Sequence, residues 1–269
     1  MPVIDAHAHI YPARIAARAV DSVSCFYSLP MFADGPDRGT ADHLLRATNE
    51  SPITHFIVHS VATTAHAVES INTFIAEQCR LHSQFIGFAT MHPDYADPER
   101  EINRAISLGL HGIKLHPDSQ AVNMDDPRLM NVYEIMQAND MRLVMHTGDF
   151  RFDYSNPERL TRILKAFPNL VVDAAHFGNW SKFDVGFDIL HRFENVFVDA
   201  SSSSFWLGKR HACELIRLWG TDRVMLGSDY PMWSPVAEYD FLDSLPFTDD
   251  EKDQLFWHNA EQFLGFSVA

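Results

Sequence analysis

The chain has 269 residues, of which 46% are hydrophobic and 21% charged, ordinary proportions for a folded globular protein and far from disordered or fibrous composition. Asp and Glu number 36 against 21 Lys and Arg, a formal net charge of −15, and a field of that sign opposes nucleic acid, so no nucleic-acid partner is expected. No run approaches the 18 apolar residues a membrane span needs and no basic-then-apolar leader precedes the first strand-like run, so neither a membrane partner nor export is expected. Three widely spaced cysteines without a CxxC pair suit reduced, mostly buried thiols and a cytoplasmic setting. Against this plain background, 15 histidines stand out, because imidazole is both the commonest metal ligand and the usual acid or base near neutral pH.

Eight short apolar runs recur in chain order, at residues 3–7, 54–59, 85–89, 112–116, 142–146, 170–174, 195–199 and 223–227. Each is hydrophobic on both faces, as strands covered on one side and packed on the other should be. Between the first two lies the longest irregular stretch, about residues 10–39, which reads as an active-site loop or lid. Residues 64–82 place Val68, Ile71, Ile75 and Cys79 at the three-and-four spacing of a helix. Helix starts are marked by Asp97-Pro98, Asp126-Pro127 and Asn156-Pro157, each an Asx cap before a proline, and by Thr248 with Glu251, a capping box. Gly109 falls where the helix after Asp97 needs a left-handed stop. Eight strands alternating with helices, without a glycine-rich nucleotide turn after the first, predict an α/β fold: a (β/α)8 TIM barrel forming a single domain over residues 1–269.

Chemistry in such a barrel sits at the C-terminal ends of the strands. His7 and His9 end the first strand on one side of it; Lys114 and His116 share a face at the end of the fourth; His146 ends the fifth, His176 the sixth and Asp229 the eighth. Each alone is weak, since a single strand-end histidine is more often a hydrogen-bonded structural residue. Their convergence on one end points to a metal site, and three imidazoles with one carboxylate suit Zn2+ and leave a position for water. Trp180 and Tyr230 follow strands six and eight, where aromatic side chains can line a substrate pocket. Asp5 lies deeper and reads as a buried hydrogen-bonding residue, His55 and His59 as structural, and the Ser201–Ser204 run as adaptable loop.

The HxH pair, His146, His176 and the GSDYP turn holding Asp229 resemble the amidohydrolase superfamily. The Gly112–Pro117 run GIKLHP and the C-terminal NAEQFLG run look like its amidohydrolase-related branch, which also contains the aminocarboxymuconate-semialdehyde and hydroxybenzoate decarboxylases. The resemblance covers essentially the whole chain. It implies one divalent ion, expected to be zinc, held by His7, His9, His146 and Asp229, with His176 beside it to activate water or polarise the substrate. Hydrolysis of a lactone, ester or amide by metal-activated water is then the leading expectation, with Asp229 as proton acceptor and Lys114 or His116 holding an anionic group of a small-molecule substrate. Decarboxylation of a small carboxylic acid is the alternative; a non-catalytic metal-binding barrel is a third reading, which the complete ligand set disfavours. The relatives often form homodimers, so one is expected here.

Overall fold

The computed structural model describes residues 2–268. Eight parallel strands form one sheet in the order β1 to β8: β1 (Ile4–His9), β2 (His55–His59), β3 (Phe85–Thr90), β4 (Gly112–Leu115), β5 (Arg142–Met145), β6 (Val172–Ala174), β7 (Val196–Asp199) and β8 (Val224–Met225). The circle closes just beyond β8, where Ala6 donates to Leu226 O, Asp229 donates to His7 O, and Ala8 bridges Tyr230. The principal helices are α1 (Ala13–Tyr27), α2 (Ala41–Thr48), α3 (Val68–Leu81), α4 (Pro98–Ser107), α5 (Pro117–Gln120), α6 (Pro127–Ala138), α7 (Pro157–Ala166), α8 (Phe183–Leu190), α9 (Ser203–Trp206), α10 (Lys209–Trp219), α11 (Pro235–Asp243), α12 (Asp249–Asp253) and α13 (Asn259–Leu264). The expected barrel is present, and none of the helices among the described residues is long and apolar enough to cross a membrane.

Local chemistry starts and stops the helices where the sequence marks them. The Asp97, Asp126 and Asn156 side chains accept from the backbone N–H of Arg100, Arg128 and Glu158, each ahead of a proline in the first turn. Thr248 and Glu251 close a reciprocal capping box. Gly109 follows α4 at φ +83, a conformation a side chain would strain.

The stretch expected as irregular contains a fifteen-residue helix, α1. Its inward stripe is built from Ala16 and Val20, residues too small to produce the usual pattern of large apolar side chains, and its start is uncapped by any side chain. All three cysteines are free, but none is fully buried as expected: Cys25 on α1 is exposed, and Cys79 and Cys213 are half-buried.

Two hydrophobic layers divide the molecule. The larger fills the space between strands and helices. The smaller lies inside the barrel and joins Ile4, Ala6, Ile57, Ile86, Phe88, Val144, Phe197 and Met225 to Ala260, Phe263 and Leu264 of α13, which plugs the N-terminal end. Phe263 stacks against Phe88 at 6.0 Å between ring centroids, and burying such a ring contributes about 1.5–3 kcal/mol.

Candidate active site

The strand alternation that points the apolar layer inward also points polar residues inward nearer the C-terminal ends. In β1 it does so only because the strand is irregular: the pairing with β2 shifts register between Asp5 and Ala8. Ile4 and Ala6 therefore face the inner core, yet His7 and His9 also face inward, while Ala8 joins the outer layer with Val58. The bulge delivers both histidines to the barrel interior.

His7 Nε2, His9 Nε2 and Asp229 Oδ1 form a near-equilateral triangle. The two nitrogens are 3.3 Å apart and each lies 3.4 Å from the oxygen. Donor atoms on a tetrahedron with bonds of about 2.1 Å stand roughly 3.4 Å apart, so these three have the spacing of one face of a tetrahedral metal site. Asp229 sits in the turn after β8 at φ 55, and His176 follows β6 at φ 60, two non-glycine residues in the left-handed region of the kind that cluster at functional sites. Burial alone would raise the Asp229 carboxyl, but His7, His9 and His176 around it hold it well below the usual carboxylate range. It is an anion at neutral pH.

Lys114, wholly buried at the top of β4, points its Nζ at His7 Nε2 from 3.0 Å. Burial pulls its ammonium down to about 8, against the attraction of Asp229, Asp199 and Asp173. On the other side of His7, Nδ1 meets Asp199 Oδ2 at 2.7 Å. Burial would raise the Asp199 carboxyl too, but the charge and hydrogen bond of His7 keep it well below its ordinary range.

A second group lies beside the first. The rings of His116 and His146 stack at 3.9 Å, and His146 Nε2, which has no hydrogen-bond partner, lies 3.5 Å from Asp118 Oδ2. His146 Nδ1 is 3.1 Å from His176 Nε2, and His176 Nδ1 is 2.7 Å from Ser201 Oγ. Burial holds His146 well below the usual imidazole range and brings His176 to about 4, so both rings are neutral. His116 caps α5, its Nδ1 accepting from Ser119 N–H, so its proton sits on Nε2 and goes to the Tyr27 hydroxyl at 2.7 Å. Tyr27 thus accepts from His116 and keeps its own proton unspent.

These groups open onto a cavity of about 1040 Å³ that runs out between α1 and α3. His9, His116, His146 and Asp229 line its floor, and Phe26 and Tyr27 of α1 form part of its wall. Arg151 anchors that end of α1 by hydrogen-bonding Phe26 O and lying over the Phe26 and Tyr27 rings at 4.8 and 5.0 Å.

The structure brings His7, His9 and Asp229 together as expected, but it sets His146 with His116 and Asp118, linked to the rest through His176. His176, expected to face the substrate, spends both ring nitrogens on Ser201 and His146. Lys114 gives one ammonium proton to His7 and does not line the cavity, and both nitrogens of His116 are committed to Ser119 and Tyr27, so neither stands free in the cavity to hold an anionic substrate group. Tyr230 is fully buried, its hydroxyl held between Gly39 N and His43 Nδ1, and Trp180 packs behind Tyr27 at 5.0 Å; neither lines the cavity. Asp5 is the buried acceptor expected, bonding Ser228 N and Oγ, and burial raises its carboxyl to about 7.

Four residues near the site read from the sequence as structural or loop, as His59 and Ser201 do, or are not singled out by it, as with Asp199 and Tyr27. His59 is fully buried, 4.4 Å from the His9 ring, with both nitrogens unpartnered; its place at the end of β2, paired with His9, was the available signal. Asp199 ends an apolar strand, a position as telling as that of Asp229. Ser201 and Tyr27 carried no signal, since their partners lie 25 and 89 residues away.

Barrel and site together define a (β/α)8 barrel with a histidine and carboxylate cluster at its C-terminal mouth. A family profile described as Amidohydrolase matches residues 4–266, and the chain belongs to that enzyme family. A curated 2-amino-3-carboxymuconate-6-semialdehyde decarboxylase from Dictyostelium discoideum is 25% identical over 224 residues, covering 68% of this chain and 61% of its own length. Two solved structures share the fold. A TIM-barrel protein from Bordetella bronchiseptica matches with TM-score 0.79 at 18% identity, covering 98% of this chain and 99% of its own. A dihydroxybenzoic acid decarboxylase from Polaromonas sp. JS666, with bound manganese and the inhibitor 2-nitroresorcinol, matches with TM-score 0.74 at 17% identity over 98% and 97%. The relatives whose activity is named are decarboxylases, which overturns hydrolysis as the leading expectation and favours its alternative.

Proposed function

We propose that this protein is a metal-dependent decarboxylase of a small, planar, unsaturated or aromatic carboxylic acid. The observation that carries the metal half of this reading is the 3.3–3.4 Å triangle of His7 Nε2, His9 Nε2 and Asp229 Oδ1 at the floor of a cavity. His146, which stands with His116 and Asp118 on the same cavity floor, would offer a fourth donor through Nε2, a buried nitrogen without a hydrogen-bond partner. The donor set and its tetrahedral spacing favour zinc; the manganese bound to the Polaromonas decarboxylase makes that ion the rival. The decarboxylation half is supported by the activities named for the relatives.

When bound, a divalent ion supplies Lewis-acid charge that fixes and polarises anionic oxygens of the substrate. The remaining work belongs to the chain. Loss of CO2 breaks the bond between the carboxyl and its carbon, leaves the electron pair on that carbon, and requires a proton there. Asp229, held ionised, first takes a proton from an acidic hydroxyl of the substrate or from solvent and then delivers it to the carbon. Tyr27, with its hydroxyl proton uncommitted, donates to a substrate oxygen from the α1 side. The Phe26 and Tyr27 rings offer flat apolar surface to a planar skeleton.

The test begins with chelated protein reloaded with Zn2+ or Mn2+ and offered hydroxylated aromatic acids, unsaturated amino-carboxylic acids, and lactones and esters in parallel. We expect close to one ion per chain and metal-dependent CO2 release from an acid. Turnover of a lactone or ester with no CO2 from any acid would sink the proposal.

A further inference from the structure

Asp199 gathers more of the site than any other residue. Its Oδ1 accepts from two backbone donors, His176 N–H at 3.1 Å and Ser201 N–H at 3.0 Å, so that oxygen is an acceptor. The Ser201 hydroxyl also donates to Oδ1. A serine has one hydroxyl proton, and here it is spent on Asp199. Facing His176 Nδ1 at 2.7 Å, Ser201 Oγ can then only accept, so the His176 proton lies on Nδ1. A neutral imidazole carries one N–H, which leaves His176 Nε2 bare and makes it the acceptor for His146 Nδ1–H at 3.1 Å. His146 Nε2 is bare in turn, in keeping with its lack of a partner. The other oxygen of Asp199 repeats the operation in one step. Oδ2 takes the Nδ1–H of His7 at 2.7 Å, and the bare Nε2 accepts from the Lys114 ammonium at 3.0 Å.

We propose that Asp199 is the positioning residue of the site: directly through His7, and through Ser201 and His176 to His146, it fixes which nitrogen of three imidazoles carries the proton and leaves the Nε2 electron pairs of His7 and His146 unprotonated as ligands, the first shared with the Lys114 ammonium and the second without a partner. The use of those pairs rests on the metal-centre reading; the proton arrangement does not. Asp199 itself touches neither substrate nor ion. Partners of this kind orient metal-binding histidines, and removing one typically costs about 10–100-fold in metal affinity.

The test reads protons and metal separately. Long-range 1H–15N correlation spectra of the histidine rings in chelated, 15N-labelled protein should show His7, His146 and His176 all protonated at Nδ1. In Ser201→Ala, His176 and His146 should lose that fixed pattern while His7 keeps it; in Asp199→Asn all three should change. Zinc affinity by chelator competition should fall about 10–100-fold in Asp199→Asn and less in Ser201→Ala. A His176 protonated at Nε2 or at both nitrogens in the unsubstituted protein overturns the proposal, as does a Ser201→Ala variant that disturbs His7 as much as His176. Because the spectra of the unsubstituted protein and of Ser201→Ala need no Asp199 variant, misfolding of that variant leaves the proposal testable. The expected proton pattern in a protein that binds neither zinc nor manganese would uphold the role of Asp199 and overturn the metal reading alone.

Discussion

Two layers of the barrel interior stand on the same eight strands and are made of opposite chemistry. Toward the N-terminal ends, Ile57, Phe88, Val144, Phe197 and Met225 close on α13 with no polar side chain among them. One inward step further along the same strands come His59, Thr90, Lys114, His146, Asp199 and, after β8, Asp229. The first layer gains free energy by leaving water. The second loses it: His59 has two buried nitrogens without partners and Asp173 two such oxygens, and each unsatisfied group costs about 1–3 kcal/mol. Burial and the neighbouring Asp199 push the Asp173 carboxyl well above its ordinary range, the mark of a charge the interior will not carry. Stability and reactivity are thus segregated along the strand axis, and substitutions in one layer should leave the property of the other intact.

The largest expected effect tests the upper layer. Asp229→Asn keeps shape and hydrogen-bonding size but removes the anion, so turnover should fall about 10²–10⁴-fold while the thermal midpoint holds or rises. A variant that unfolds with its activity would mean that the two layers are not separable. Next comes the lower layer. Phe88→Ala empties a ring stacked on Phe263 and should cost about 3–5 kcal/mol in denaturant unfolding, with metal stoichiometry of the folded fraction unchanged. The smallest effect tests the frame that holds the upper layer. Glu238 on α11 is buried and grips Ser203 and Ser204, just beyond Ser201, and burial raises its carboxyl to about 8. From about pH 5 to 8 the unfolded chain has lost this proton while the folded chain keeps it, so the unfolded state binds fewer protons and stability falls as pH rises. Glu238→Gln should remove that slope, gaining roughly 3 kcal/mol on the parent between pH 5.5 and 8.5 in paired urea titrations. Parallel pH profiles for the two proteins would show that Glu238 is not held protonated.

The lower layer and its strands were readable because their causes are local. Each strand is a short β-rich run, and the Asx–Pro and Thr248–Glu251 starts are set within three residues. The upper layer was readable residue by residue, not in its pairings. His7 and Asp229 could be placed at the right end of the barrel from their strands alone, whereas the His7–Asp199 contact spans 192 positions and nothing in either segment announces it. The error over Tyr230 has the same origin. A residue after a strand can turn inward or outward, and here its hydroxyl goes to the segment before α2. Helix α1 was missed because its buried stripe is made of small side chains.

The register shift in β1 makes that strand a phase shifter. With unbroken alternation, an inward Ile4 and Ala6 would be followed by an inward Ala8, sending His7 and His9 out among the helices. The extra residue lets one short strand serve the apolar plug and the histidine pair at once. Loss of Ala6 would restore plain alternation with Ile4, His7 and His9 all still inward, at the cost of one residue of the inner core, so the irregularity is what lets Ala6 join that core without turning the histidine pair outward. The phase of the strand, and not the composition of its inner face alone, is what delivers the HxH pair to the barrel interior.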